Sequence, residues 1–504
     1  MSSGMTLSFT LAILATASLS IAFSDGVDMD PATKACQLLV NAFPQLVAFP
    51  GPEQYSSDIE HWAFTSTQNA TCTIEPETAD DVGEILKIIG RGDIMAPFAV
   101  KGGGHAYNIG HSSTTGVQIS MTKFTGLDYD AGSETVTIGT GLIWDEVYSR
   151  LEPFGVMVNG GRVPGVGVAG LSLGGGYSWK TNQFGLGIDT IVSHNVVLPS
   201  GEQVRASNTS YPDLFFGLKG GLNNFGIVTN ITFEAHPQTL VYGGQITYAS
   251  NVSKIVNAAA SNFSANNKEP KAQVISSVAS VLGEFVAVVL LFYDGPTLPS
   301  GIFDAFLSIP YMSSDISTRT FVDLFESFGN TTIGSGPMGN VGHVVPVTDY
   351  PVDLLNQIAE EVTVLEGRLI RANDGLPVIV AVSYEPFLKP FSNSRGGAYP
   401  HPSSRQVTPM YISAMYQINL NSTKDEQSGF HEMVVSSVKE LSNLIQAEAV
   451  SLGVSQWDDI LYPNYALDGT PLKLMYGSNV QTLREIAAKY DPDGIMKLTG
   501  GPHF

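Results

Sequence analysis

Basic residues are scarce. The 504-residue chain carries 25 Lys and Arg against 47 Asp and Glu, a formal net charge of −22. A surface that negative repels phosphate backbones, which argues against nucleic acid as a partner. Charge of either sign is thin, 14% of residues against 43% hydrophobic, and no block of like charge stands out. This describes a globular chain with large cores and a solvated acidic surface. Cysteine is nearly absent. Cys36 and Cys72 are too few for a zinc or iron–sulfur centre of their own, so no metal site is expected. They fit one disulfide in an oxidising compartment, or else two buried free thiols. Only four tryptophans are present, few for the aromatic platforms of a sugar site. Internal repeats and low-complexity tracts are missing, as is any spanning-length apolar run beyond the N-terminus.

At the N-terminus, Leu7 to Phe23 is apolar, with small residues near Ala22 and Ser24 and charge returning at Asp25. This reads as a signal peptide over 1–24, although no Lys or Arg precedes it; a membrane anchor is the alternative. A secreted chain, free of the membrane after cleavage, is expected. Sequons begin at Asn69, Asn208, Asn230, Asn251, Asn262, Asn330 and Asn421, in keeping with a secreted glycoprotein.

Strands and helices alternate over 75–235. Thr78 is placed as the N-cap of a helix with Val82, Ile85, Leu86 and Ile89 on one face, and "APFAV" follows as a short buried strand. From about residue 240 the texture becomes antiparallel: "VYGGQITYA", "QVISSVASVLGEFVAVVLLFYDG" and "MYISAMYQINL" read as strands. Three helical stretches lie between or after them, beginning near Asn251, Pro351 and Glu426. The fold class is α+β, with a large antiparallel sheet covered by helices in its second part.

Glycine concentrates at three places. In "FAVKGGGHAYNIGHSS" the glycines Gly102, Gly103 and Gly104 stand between Lys101 and His105. Such a run brings backbone amides close to an anion such as a pyrophosphate, with Lys101 adding charge; a plain tight turn is the alternative. "NGGRVPGVGVAGLSLGGGYSWKTNQFGLGID" contains Gly165-x-Gly167-x-x-Gly170, the dinucleotide fingerprint, with Asp189 at a suitable distance. That reading fails because Gly174, Gly175 and Gly176 interrupt the helix it needs, which disfavours a NAD-dependent dehydrogenase. The third place is "DLFFGLKGGLNNFGIVTNITFEA", where Gly226 precedes Ile227 and Val228. Two separate glycine loops suggest a long ligand held between layers of backbone.

The order KGGGH, GVGVAG…GGGY, DLFFGLKGG…NFGIVT, a late "YPNYA" and a terminal "KYDP" resembles the berberine bridge enzyme-like FAD-linked oxidases of the vanillyl-alcohol oxidase and para-cresol methylhydroxylase superfamily. The motifs cover 60–240 and 455–504; between them the likeness is architectural. The resemblance implies a two-subdomain FAD-binding domain over 25–239, a substrate-binding domain over 240–455, and a return to the FAD-binding domain over 456–504.

It also implies cofactor contacts from Lys101, Gly102, Gly103 and Gly104 in the first loop. In the second they come from Val163, Val166, Gly167, Gly170, Gly175 and Gly176, with Gly226, Ile227, Val228 and Asn464 beyond. His105 matches the histidine that bonds to the flavin 8α-methyl. The cysteine of doubly linked relatives should stand near Val163 and is missing, so a single covalent bond is implied. Val166 matches the valine of oxygen-accepting members. Tyr107, Tyr462 and Tyr465 are the implied catalytic tyrosines. A tyrosine ordinarily titrates near pH 10, so a base among them needs nearby positive charge. Phe184 replaces a tyrosine that partners Tyr107 in plant relatives, and the family's active-site glutamine has no match near His401, Met410 and Tyr411.

The implied activity is oxidation of a small alcohol or secondary metabolite, with hydride passing to FAD and O2 taking the electrons as H2O2; a monomer is expected. Oxidative ring formation, a carbohydrate oxidase, and a flavin-carrying secreted protein without turnover are the alternatives.

Overall fold

The computed structural model describes residues 29–329 and 337–504. The expected signal peptide and the sequon at Asn330 lie outside them. No helix among the described residues is long and apolar enough to cross a membrane.

Three large sheets and one two-stranded pair, Val156–Met157 with His236–Pro237, organise the described residues. The first has four strands in the order Val47–Ala48, Cys72–Ile74, Val117–Ser120, Phe98–Lys101, the last three mutually parallel. Helix Ala79–Ile89 packs on it. Thr78 and Asp81 form a capping box at its start, and Val82, Ile85, Leu86 and Ile89 are buried, as the 3.6-residue spacing predicts. Cys36, on helix Pro31–Ala42, is bonded to Cys72 on the second strand, with Cα atoms 6.0 Å apart. The free-thiol alternative therefore falls away.

The second sheet is antiparallel, in the order Leu127–Asp130, Thr135–Gly139, Ile227–Glu234, Ile191–Val197, Gln203–Ser207. The sequon residue Asn230 sits mid-strand in it, not in a loop. The short helix Val168–Leu173 ends at Gly174, as expected from the glycines that follow.

The third sheet has eight antiparallel strands. Its centre runs Val241–Ala249, Glu284–Tyr293, Ala272–Val281, Val378–Tyr384, Thr408–Gln417, Met338–Val347. Helices Val352–Ala372 and Lys424–Ser451 cover one face. Leu355, Ile358, Val362 and Leu369 of the first, with Val434, Val438 and Ile445 of the second, meet Val378, Val380, Val382, Ile412 and Ala414. Strand residues alternate faces, so the intervening positions look the other way, toward the first two sheets. Val344, Ile275 and Phe292 join the core of that half.

A buried pair ties the halves together. The Asp189 carboxylate accepts from the backbone N–H of Leu186 and Arg395 and lies 2.9 Å from His401 Nε2. Asp189, a ribose partner in the rejected dinucleotide reading, is thus a structural anchor.

Candidate active site

The glycine loops meet back to back. A Cβ on Gly103 would stand 2.6 Å from Gly167 Cα, and one on Gly102 would stand 2.9 Å from the Thr140 carbonyl oxygen. Only glycine permits that approach. Thr140 in turn donates its hydroxyl to the Val228 carbonyl, which fixes the start of strand Ile227–Glu234 beside the loops.

A segment before the first loop clamps it. The Trp62 N–H donates to the Gly104 carbonyl, and the Lys101 ammonium donates to the Ser57 carbonyl at 2.6 Å. Lys101 is buried there, which lowers its pKa against the opposing pull of Asp58, Glu60 and Glu75. Its ammonium is thus tied to the chain before the loop, a brace that the sequence reading did not foresee.

His105 leaves the loop half-buried, its imidazole parallel to the Trp62 indole with centroids 4.6 Å apart. Burial lowers its pKa to about 4, so the ring is neutral at ordinary pH. A Cβ on Gly165, which has φ +83°, would lie 3.8 Å from its Cδ2, so the second loop borders the ring. Val163 and Val166 flank that point, half-buried. Gly170 is exposed with open space around it, and Ile227 and Val228 point their side chains into cores.

After His105 the chain runs to the C-terminal segment. Tyr107 donates its hydroxyl to the Tyr465 carbonyl at 3.0 Å, and Asn108 donates to the Ala466 carbonyl at 2.9 Å. Tyr462 accepts from the Gly176 N–H and from Asn464, both at 3.0 Å, and packs edge-on against Tyr465 and Tyr177. The three implied tyrosines and Asn464 therefore converge.

Their centre is a ring of three polar side chains. Arg162 pairs with Glu385 at 2.7 Å and donates to the Tyr465 hydroxyl at 2.7 Å, and that hydroxyl donates back to Glu385 at 3.2 Å. The ion pair is buried, with Arg162 over the rings of Tyr177 and Phe387. Burial works against the Arg162 charge, but Glu385 and Tyr465 together raise its pKa.

The sequence asked for positive charge to lower a tyrosine. Arg162 supplies it to Tyr465 and does not prevail. Burial comes first, and the pKa of Tyr465 stands well above 10. Burial also raises Tyr107, Tyr462 and, to about 12, Tyr411. These are neutral phenols at rest.

Tyr411 comes from the third sheet and packs 4.3 Å from Tyr465. Its hydroxyl and that of Tyr107 crowd the face of Gly342, where a Cβ would stand 2.5 and 2.8 Å from them. Tyr411 stands beside Tyr107, with ring centroids 6.3 Å apart, but it adds to the rise of the Tyr107 pKa and so does not replace the tuning tyrosine; Phe184 stacks on His236 at 3.7 Å.

Arg162, Glu385, Gly342 and Trp62 were not singled out in the sequence. A signal existed for two of them. Arg162 is an isolated charge in a glycine run and Glu385 one in "VIVAVSYEPF"; charges placed so are seldom buried without a partner.

A model of the FAD-binding domain matches residues 70–207. The FAD-dependent monooxygenase drtC of Aspergillus calidoustus is 31% identical over 466 residues, covering 90% of this chain and 86% of that protein. BBE-like 1 of Physcomitrella patens has the same fold, with TM-score 0.72 at 18% identity over 93% of this chain and 100% of the other. The chain belongs to the berberine bridge enzyme-like FAD-linked oxidoreductases. A xylooligosaccharide oxidase from Myceliophthora thermophila shares the fold at TM-score 0.70 and 20% identity, covering 92% and 98%. At that identity the likeness is one of fold alone. In this family member a side chain on Gly103 or Gly167 would strike the facing loop, so the two loops present bare backbone where they meet, and His105 stands beside them. The residues present therefore fit FAD.

Proposed function

We propose that this chain is a secreted oxidase for a small alcohol or secondary metabolite, carrying FAD bonded once, through His105, with O2 as electron acceptor and H2O2 as product. The observation that carries it is a convergence. His105 sits at the joined glycine loops, and two and three residues on, Tyr107 and Asn108 tie the same stretch of chain to the segment that brings Tyr465 to Arg162 and Glu385.

Bound FAD supplies a two-electron acceptor for the substrate C–H hydride and passes the electrons to O2. Gly102, Gly103, Gly167 and Asn464 would hold it, and neutral His105 offers a ring nitrogen as nucleophile. The substrate O–H proton needs a base. Tyr465 serves as a relay: its oxygen takes that proton as its own passes to Glu385, so no free phenolate is required. Arg162 fixes both partners and steadies the charge left on them. Val166 leaves only a small side chain beside the His105 loop, in keeping with access for O2. The disulfide supports an oxidising compartment.

The test starts from the full chain precipitated with acid. A yellow pellet, colourless in His105→Ala, supports the bond; colour in the supernatant removes it. Peroxide release over a panel of alcohols then reads the oxidase. The relay also suits oxidative ring formation, because it can deprotonate an internal O–H nucleophile. Product structure by NMR separates ring closure from simple oxidation.

A further inference from the structure

The face of the third sheet turned from the helices is graded in side-chain size. Strand register aligns Val286, Ala279, Ala381, Ser413 and Gly342 in one row across five strands. The next row holds Val288, Ser277, Ser383, Tyr411 and Val344. On the other side stand Val281, Ile379, Met415 and Asn340. Small residues therefore run from Ala279 to Gly342 and widen into Ser277 and Ser383, with Val281, Ile379 and Met415 along one side and Val288, Tyr411 and Val344 at points along the other. Neighbouring strands lie about 4.8 Å apart, so this trough is about 19 Å long. Its inner end is Gly342, under the hydroxyls of Tyr107 and Tyr411.

The trough is open in its middle and its lining is small and uncharged. Ala381, Ser413, Ser383 and Ser277 are half-exposed, so the protein does not fill it. Ser277 and Ser383 bond to each other at 2.8 Å, which uses part of their polar capacity. Glu284 stands exposed at the outer corner, and at the inner end the Glu385 charge is neutralised by Arg162. Asn340, 2% exposed, brings its amide near the Tyr411 hydroxyl without closing a hydrogen bond of good geometry. A buried amide so placed has capacity for one more polar partner.

We infer that the trough binds an elongated, uncharged, mainly hydrocarbon alcohol lengthwise, with its hydroxyl at the packed pair Tyr411 and Tyr465, beside Asn340, and its tail along Ser413, Ala381 and Ala279. An oligosaccharide fits poorly: its many hydroxyls would lose water without gaining partners. The inference rests on the oxidase reading only for what happens at the hydroxyl; the tail site stands apart from it.

The test titrates the flavin-loaded full chain with 3-methyl-2-buten-1-ol, geraniol and farnesol, and with cellotriose, by calorimetry and by the flavin spectrum. Affinity is expected to rise roughly tenfold per added five-carbon unit, for partial burial of each. Cellotriose is expected to give no binding heat. Ala381→Phe, which blocks the middle, is expected to weaken farnesol by about tenfold or more and leave the shortest alcohol within about twofold. If that variant does not fold, Ser413→Leu carries the same comparison. Equal affinity along the series, a preference for cellotriose, or equal weakening of all three alcohols overturns the trough. Length-graded binding without turnover upholds the trough and removes the oxidase reading. A chain that takes up no flavin removes that reading too, and calorimetry on it still decides the trough.

Discussion

The Trp62 indole and the His105 imidazole lie 10° from parallel, 4.6 Å apart, with Trp62 itself 51% exposed. A large aromatic left so open toward solvent covers one face of the ring. The backbone N–H of Trp62 holds the glycine loop through Gly104, and a side-chain substitution leaves that bond in place, so the variant reads the indole alone. Trp62→Ala is expected to free the imidazole to turn and to lower the share of flavin retained in an acid pellet, while Trp62→Phe keeps most of it. Pellet absorbance checks this, and full retention in the alanine variant would falsify the positioning role.

Glu385 is expected to matter twice. Glu385→Gln keeps the shape, removes the proton acceptor, and should lower kcat by about 10²–10⁴-fold with little change in flavin content. Glu385→Ala leaves Arg162 charged and unpaired in a buried site, costing about 3–5 kcal/mol. Arg162→Met with Glu385→Leu should cost less than Glu385→Ala alone. Denaturant midpoints give the order; the reverse order would mean that the pair is well solvated.

Gly342→Ala places a methyl against two phenol oxygens. Overpacking of this kind costs about 1–3 kcal/mol. The variant is expected to lose activity by displacing Tyr107 and Tyr411, and part of the stability should return when Tyr411→Phe is added. A variant as stable and as active as the parent would show that the tyrosines have room to move.

Stability is expected to fall in acid. Burial lowers His105, His236 and His343 to about 4 and His194 to about 3, against 6.5 in the unfolded chain. The unfolded state therefore binds more protons below pH 6.5, and stability is lost as pH falls from there toward 4. His194, fully buried with neither ring nitrogen hydrogen-bonded, should dominate locally. His194→Leu is expected to flatten the slope of melting temperature against pH in that window; an unchanged slope assigns the acid loss elsewhere.

Removing the disulfide by Cys36→Ser with Cys72→Ser opens a loop of 36 residues. The expected loss is about 4 kcal/mol. Thermal unfolding with and without reductant provides the check: the parent should respond and the variant should not.

The sequence determined the cofactor half of this protein. Loop glycines, caps and helical periodicity act over a few residues, so the glycine cradle, His105, the helix after Thr78 and the two long covering helices are legible locally. Strand Val378–Tyr384 was also readable in principle, from the β-branched run after Gly375, as was Met338–Val347 from its valines, yet neither was singled out. What only the tertiary structure decided is which distant residues meet. Arg162 and Glu385 are 223 positions apart, and Tyr107 and Tyr465 are 358. Their pairing depends on strand register and on how two sheets face each other, which no short stretch encodes. The charge state of the tyrosines followed the same rule. The sequence supplies the cation that could lower them, but burial, a property of the whole fold, set the direction.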